Sequence, residues 1–140
     1  MRQKGVSSLS AVLLLLLLGS LMLSGLQQQL SARFTSAASE SQALRQFSFA
    51  LSALALAEKQ RWALTLQWQC QTFPAQKGRA CARITEKNEA IVAAHEAGIS
   101  DALILWRWGV PARQGLTYRP HGWLDFCPLE ASQCQLPPAL

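Results

Sequence analysis

The chain has 140 residues, enough for one small domain, with 13 lysines and arginines, 8 acidic residues and a formal net charge of +5. The positive charges are spread along the chain rather than clustered, which argues against a nucleic-acid partner. The sequence contains neither a glycine-rich phosphate loop nor paired carboxylates. We therefore expect no enzyme activity, no cofactor and no bound metal.

An uncharged apolar segment near the amino terminus dominates the sequence. No charged residue occurs from Gly5 to Ala32, and residues 6–26 would form a helix of about 32 Å. A bilayer core is about 30 Å thick, so this segment is predicted to be a transmembrane helix. Arg2 and Lys4 precede it, which favours a cytoplasmic amino terminus.

Three interpretations of this segment compete. A cleavable secretory signal usually ends in a small-x-small site, and the candidate sites here carry a leucine at one of the small positions. An uncleaved signal anchor is the second interpretation. The third uses the short basic leader that ends in Gly5, because this arrangement resembles the class III signal of type IV prepilins and type II secretion pseudopilins. The resemblance implies a leader of residues 1–5, cleavage by a prepilin peptidase between Gly5 and Val6, and methylation of the new terminus.

One position departs from the prepilin pattern. Most prepilins carry a glutamate at the fifth mature position, which here, counted from Val6, is Ser10. A carboxylate inside a membrane is costly and is expected only where a partner exists. By the resemblance, its absence at Ser10 is the mark of a subunit at the filament tip, as among minor pseudopilins of the general-secretion K type.

The helical pattern continues beyond the membrane segment. Neither proline nor glycine occurs from Gln27 to Trp68, and we predict that residues 27–68 continue the helix into the periplasm. Apolar residues recur there at steps of three, four and seven, a spacing that places them on one face of a helix. They are Leu30, Phe34, Ala37, Leu44, Phe47, Leu51 and Leu54. We expect this stripe to be buried by the following domain and, in other stretches, by neighbouring helices of a filament.

Residues 69–140 are predicted to form a small disulfide-bearing β-rich domain. Phe73-Pro74 is expected to end the helix, because the residue before proline avoids the α region. Short strand-like runs follow, separated by glycine and proline: residues 80–85, 90–95, 102–108 and 116–119. Lys87-Asn88-Glu89 is a candidate hairpin turn. The predicted fold class is α+β, with a long amino-terminal helix packed on a small antiparallel sheet, as in pilins.

Four cysteines follow the membrane segment: Cys70, Cys81, Cys127 and Cys134. In an oxidising periplasm an even number favours two disulfides, and three connectivities are open. Pairs 70–81 and 127–134 are favoured because each closes a short loop. A zinc site would need thiolates at closer spacing. A nucleophile built from His121, Asp125 and Cys127 is the remaining alternative, but nearness in sequence is not active-site geometry.

The five tryptophans, Trp62, Trp68, Trp106, Trp108 and Trp123, are expected to lie mainly in the core of so small a domain. Trp106 and Trp108 share one face of the predicted strand, opposite Arg107. If that face is exposed, it is a candidate partner surface. His95 is expected to be a satisfied or surface histidine.

Two segments carry a closer resemblance: KGVSSL at residues 4–9 and HGWLDFCPLEASQCQLP at residues 121–137. Together they are similar to the enterobacterial YgdB-like prepilin-peptidase-dependent proteins, with similarity running from Lys4 to Pro137. The resemblance implies a minor pilin or pseudopilin of the bacterial inner membrane that helps to initiate or cap a type IV pilus-like filament. Its expected partners are other minor pilins or pseudopilins, the prepilin peptidase and the inner membrane. The alternative is a bitopic membrane protein whose periplasmic domain binds a partner outside any filament.

Overall fold

The structure, a computed structural model, describes residues 4–138, and of residues 4–7 it describes only the backbone. One long helix is followed by five strands, and a short 3-10 helix (Pro74–Gln76) lies between the first two strands. The elements are α1 (Lys4–Lys59), β1 (Gln69–Phe73), β2 (Gly78–Ile84), β3 (Ala90–Glu96), β4 (Leu105–Ala112) and β5 (Gly115–Leu124). The strands form one antiparallel sheet in the order β1-β2-β3-β4-β5, so each pairs with its neighbour in sequence. This arrangement confirms the predicted α+β fold class.

The chain separates into two compact units, which meet within α1 between Ser41 and Gln42. In the first unit the described side chains, from Ser8 to Ser41, are all exposed. The second unit holds the remainder of α1 and the sheet. All buried side chains of the described residues belong to this second unit.

The helix ends at Lys59, so the prediction that it runs through residue 68 was wrong. The indole Nε1 of Trp62 donates to the carbonyl oxygen of Ala57 at 2.7 Å, and the Gln60 amide donates to the same oxygen. A carbonyl of the last helical turn, which has no partner within the helix, is satisfied in this way. The helix therefore ends without the glycine or proline that usually marks such a boundary.

The first strand, β1, was missed. The prediction that Phe73-Pro74 ends a helix was wrong, because Phe73 is the last residue of this strand. The sequence from residue 67 to 72 alternates glutamine with tryptophan, cysteine and threonine. This period of two is the pattern of a strand with two different faces.

The other four predicted strands correspond to β2, β3, β4 and β5, although β4 begins later and β5 is longer than predicted. The predicted turn between β2 and β3 is present. Asn88 there adopts a positive φ of 59°, a conformation that asparagine tolerates better than most residues. The amide of Thr85 donates to the carbonyl of Glu89 at 2.8 Å, which closes the turn.

The helix packs on the first face of the sheet through small side chains. Ala50, Ala53 and Ala57 are fully buried, and Leu54 lies beside them. They meet a layer of mostly small residues from the strands: Ala80, Ala82, Ala90, Val92, Ala94, Leu116 and Tyr118. A Cβ placed on Gly78 would lie only 2.7 Å from the Cβ of Ala53, so helix and sheet are in close contact.

Of the seven residues in the apolar stripe of α1, the sheet buries Leu54 alone. Packing of the other six against neighbouring helices stays a prediction. Leu44, Phe47 and Leu51 are exposed instead. Alanines have taken the place beside the sheet, since a helix can approach a sheet most closely through side chains that end at Cβ. Spacing of large apolar residues therefore identified a real stripe, but not the one that packs on the sheet.

The second face of the sheet is covered by the irregular segment that follows β5, residues 125–138. Ile91, Ala93 and Trp106 form the buried centre of this layer. Partly buried neighbours are Trp68, Ile104, Trp108, Leu124, Cys127, Leu129 and Leu136. The indole of Trp68 donates to the Gln133 carbonyl at 2.7 Å and fixes the segment near its middle.

Near its end, the same segment is held by Arg79 of β2. The guanidinium of Arg79 donates to the carbonyl oxygens of Pro137 and Pro138, at 2.7 and 3.2 Å. Arg79 is only 7% exposed, and this burial lowers the pKa of its guanidinium from the ordinary value. Two carbonyl acceptors therefore compensate a cation that has lost most of its water.

Candidate membrane anchor and partner surfaces

The amino-terminal part of α1 has the properties of a membrane anchor. Among the described residues, α1 is the one helix long and apolar enough to cross a membrane. Its large apolar residues from Leu9 to Leu26 are each between 49% and 73% exposed. A helix that is apolar all round and packs on nothing in its own chain is suited to lipid. Such a helix joined to a small sheet is compatible with a bitopic membrane protein.

Polar groups inside this anchor are satisfied within the helix. The hydroxyl of Ser20 donates to the Leu17 carbonyl at 2.9 Å, and that of Ser24 donates to the Ser20 carbonyl at 2.8 Å. Such bonds reduce the cost of a hydroxyl in an environment without water. Ser10, the predicted mark of a tip subunit, lies on the same helix and is exposed.

The predicted processing site is described only in part. Residues 1–3 of the predicted leader lie outside the described residues. Gly5 and Val6 lie within the first turns of α1, and their side chains are likewise outside the description. The proposed cleavage between them stays a prediction.

A second apolar surface lies on the part of α1 that belongs to the sheet-bearing unit. It consists of Leu44, Phe47 and Leu51, which we call the outward face. These side chains are 69%, 44% and 40% exposed. Their spacing of three and four residues places them together on one side of the helix. The helix thus has two apolar surfaces, of which its own sheet covers only the one made of alanines.

Both disulfides join local segments, in the pairing that the loop lengths favoured. Cys70 and Cys81 occupy directly paired positions of β1 and β2. Cys127 and Cys134 close a loop within the segment over the second sheet face. A zinc site or a cysteine nucleophile would need thiolates, and these disulfides leave no described cysteine free. The other two residues of the alternative catalytic group, His121 and Asp125, are exposed.

The tryptophan pair that was a candidate partner surface lies in the core layer instead. Trp106 is 5% exposed and packs against Trp68, with ring centroids 6.0 Å apart. The covering segment, which sequence alone does not place there, accounts for this difference. Trp123 was expected in the core but is 46% exposed. It lies over the guanidinium of Arg107 at 4.6 Å from the ring centroid.

Two of the buried polar residues of the sheet, His95 and Tyr118, have defined partners. His95 lies in β3 and is 9% exposed, and its Nδ1 is 2.7 Å from the Glu96 carbonyl oxygen. Tyr118 of β5 donates its hydroxyl to the Leu54 carbonyl at 2.7 Å, which ties the sheet to the helix. Burial, reinforced by the nearby charge of Glu58, raises the pKa of Tyr118 well above its usual value. The phenol therefore stays protonated and keeps donating.

Two buried charged residues of β2, Arg79 and Arg83, escaped the sequence analysis entirely. Arg83 of β2 is 9% exposed, and its guanidinium lies 5.7 Å from the centre of the Trp68 ring. Its burial depends on residues far away in the sequence, so neither spacing nor composition marks it. Alternation from Ala82, which faces the helix, would have placed Arg83 on the second face of the sheet.

Comparisons with known proteins identify a family but no individual relative. No curated protein and no solved structure matches the chain. A family model does match, over residues 14–134. The match takes in the later part of the candidate membrane segment, the whole sheet and both disulfides. The chain therefore belongs to the family described as protein of unknown function (DUF2509).

Proposed function

We propose that this protein is a minor-pilin-like or pseudopilin-like subunit, anchored in the inner membrane, that initiates or caps a type IV pilus-like filament by helix-helix packing. The observation that carries the proposal is the outward face of α1. Leu44 and Leu51 are exposed in a helix whose small alanines are buried. A helix whose only role was to complete its own domain would carry polar residues on the side that faces away from the sheet.

The apolar stripe continues toward the membrane segment. Leu30 and Phe34, four residues apart, are 57% and 66% exposed. By helical spacing they extend the row of the outward face through Ala37 and Leu44. A row of this kind supports packing against other helices both within a bilayer and beyond it. The filament subunits to which the amino-terminal sequence bears a resemblance use their helices in this way.

Ser10 supports a place for the subunit at the filament tip. A subunit in the shaft would use a carboxylate at this position to neutralise the terminal amine of a neighbour. At the tip that neighbour is absent, and a carboxylate would carry only its cost. Ser10, which is exposed on the helix, therefore supports a role in initiation or capping.

The first test of the proposal is processing. The full chain is co-expressed with a prepilin peptidase, and the intact mass of the purified protein is measured. We expect a mature terminus at Val6. Gly5→Leu is the matched control, because it should abolish cleavage while the apolar helix still inserts into the membrane. A wild-type mass that retains residues 1–5 would favour the bitopic protein outside any filament.

The second test addresses the outward face in membranes that contain candidate minor subunits. Leu44→Cys and Leu51→Cys are each combined with single cysteines placed along the helix of a candidate subunit. The pairs are oxidised to disulfides, and cross-linked products are identified by mass spectrometry. We expect cross-links through the helices of partner subunits. Arg45→Cys is the control, since Arg45 is exposed but lies on another side of the helix. Equal cross-linking from all three positions would contradict helix packing through the outward face.

A further inference from the structure

We propose that the groove beside Arg83 is a binding site for an extended peptide that carries one carboxylate side chain. The groove has a volume of about 610 Å³ and lies on the second face of the sheet, beside the covering segment. Arg83 and Trp108 form part of its floor, and Leu129 and Gln133 form part of its wall. This site is independent of the outward face and of the proposed filament role.

The main argument for this site is that Arg83 is buried and has a donor without an acceptor. Its side chain is more than nine-tenths buried, yet its Nε has no hydrogen-bond partner among the described residues. Nor do the described residues include a carboxylate within ion-pair distance of it. Its guanidinium makes a cation–π contact with the ring of Trp68. A buried N–H donor without an acceptor is costly, and a ligand carboxylate that accepts from Arg83 would remove that cost.

Arg79 provides a comparison within the same strand and on the same face. It is equally buried, but two carbonyl oxygens of the carboxyl-terminal segment accept from its guanidinium. The two arginines lie at opposite ends of β2, and the segment reaches only one of them with its acceptors. At Arg83 the corresponding space is the groove. A peptide from another molecule would supply an acceptor for Arg83, as the protein's own carboxyl-terminal segment supplies acceptors for Arg79.

The charges around the groove select the class of ligand. Glu86, Glu89, Glu130 and Lys87 line it together with Arg83. Glu89 is paired with Arg119 at 2.7 Å, which leaves two carboxylates and two cations. A phosphate dianion would bring two negative charges close to Glu86 and Glu130, whereas a peptide with one carboxylate brings one. The amides of the peptide can also donate to those two carboxylates. This balance favours a peptide over a lipid headgroup or a nucleic acid.

The remaining surface of the groove fits the apolar part of a peptide. Leu66, Trp108, Pro128 and Leu129 provide apolar contacts around the polar groups. The lining is mostly polar, and these four residues are its apolar part. We therefore expect apolar side chains on either side of the bound carboxylate.

The test uses the full chain, labelled with ¹⁵N-arginine and held in detergent micelles. Two pools of acetylated, amidated tetrapeptides are added separately. One has glutamate at its second position, the other has glutamine, and both vary Leu, Phe, Val and Ala at the flanking positions. The buried Nε–H of Arg83 exchanges slowly with water, so its resonance reports on the groove. The resonance is assigned from its loss in Arg83→Gln.

We expect the Arg83 resonance to shift with the glutamate pool and not with the glutamine pool. The Nε of Arg107, which is also buried without a partner but lies on the other face of the sheet, should not move. Arg83→Lys keeps the charge but not the planar fork, and we expect affinity at least about tenfold lower. Arg113→Gln, at an exposed turn, is the control and should bind as the wild type does.

Three outcomes would overturn the proposal. The first is that neither pool shifts the Arg83 resonance. The second is an equal response to both pools, which would mean that no carboxylate is recognised. The third is a response to inorganic phosphate alone, which would indicate a phosphate or headgroup site. Native-like circular dichroism and intact disulfides in the Arg83 variants separate lost binding from lost structure.

Discussion

The two faces of the sheet are packed in different ways. On the first face a regular helix lies against alanines, and contacts such as that between Ala53 and Gly78 bring the backbones close together. On the second face an irregular segment lies against large rings, including Trp68 and Trp106. A regular element can approach closely only if side chains are small, whereas an irregular one leaves volume that large side chains must fill.

This difference predicts that substitutions on the two faces of the sheet destabilise the protein for opposite reasons. The first face should tolerate no added volume, and the second should tolerate no lost volume. All five tryptophans and the single tyrosine lie between residues 62 and 123, so tryptophan fluorescence reports on the sheet-bearing unit alone. Urea denaturation of the full chain in micelles, followed by fluorescence, measures each effect below.

The largest expected effect is the loss of a ring from the second face. Trp106→Ala removes a side chain that is 5% exposed and leaves a cavity among Ile91, Trp68 and the covering segment. We expect the free energy of unfolding to fall by about 3–5 kcal/mol. Trp123→Ala is the control, because Trp123 is half exposed, and it should cost about 1 kcal/mol or less. Similar losses in both variants would contradict the assignment of Trp106 to the core.

The next effect distinguishes the two disulfides. In the chain-entropy account, loops as short as these contribute about 2–3 kcal/mol. Cys127→Ala with Cys134→Ala frees a segment that has few backbone hydrogen bonds, so Trp106 should become accessible to acrylamide quenching. Cys70→Ala with Cys81→Ala leaves two strands that are still paired, and quenching should change little. Increased quenching in the second variant only would reverse the assigned roles.

A smaller loss is expected when volume is added to the first face. The new Cβ of Gly78→Ala would lie 2.7 Å from the Cβ of Ala53 and 3.1 Å from the carbonyl oxygen of Phe49. Helix and sheet must separate, at a cost of about 1–3 kcal/mol. A Cβ at Gly25, in the other unit, meets nothing within 4 Å, so Gly25→Ala should leave the denaturation curve unchanged. An unchanged curve for Gly78→Ala would show that the two layers are not in close contact.

The sequence was sufficient for the fold class and for the local features. The turn at residues 87–89 is set by the chemistry of asparagine, and the favoured cysteine pairs are neighbours in the chain. The sequence was insufficient where the structure of a segment depends on contacts with residues outside that segment. The end of α1 depends on the indole of Trp62, and the burial of Trp106 depends on a segment about twenty residues later.

The same reason explains the errors about surfaces. Leu44 and Leu51 appear in sequence as a normal buried stripe, and only the packing of Ala50 and Ala53 shows that they are exposed. Trp108 was grouped correctly with Trp106, since residues two apart share a sheet face. The segment that covers that face is brought there by tertiary packing. Neither the hydrophobic period of the strand nor its composition predicts this. Arg83 could be placed on a face by alternation, but its missing partner could not be foreseen.

The smallest expected effect concerns the bond that joins the helix to the sheet. Tyr118→Phe removes a buried hydroxyl that donates to the Leu54 carbonyl. At neutral pH we expect a loss of about 1 kcal/mol, a typical value for one such hydrogen bond. A loss near zero would mean that this bond contributes nothing to holding the two layers together.

This bond also has a pH dependence. The ordinary pKa of tyrosine is about 10, and in the folded protein the pKa of Tyr118 is raised, chiefly by burial. The stabilisation is therefore complete below about pH 10 and is lost as the pH rises above it, because only the unfolded chain ionises readily there. The difference in stability between wild type and Tyr118→Phe should shrink in that range. Because the chain has one tyrosine, its ultraviolet absorbance reports the ionisation directly.

The neighbour-by-neighbour order of the strands has a consequence for how the chain can fold during synthesis. Each strand finds its partner in the strand just before it, and the disulfides span 11 and 7 residues. Hairpins can thus form in succession as the chain is delivered from its amino end. The contacts of Tyr118 with Leu54 and of Trp68 with Gln133 span 64 and 65 residues and must close last. A chain arrested before β5 would hold three hairpin pairings while lacking these two contacts and those of Arg79 with Pro137 and Pro138.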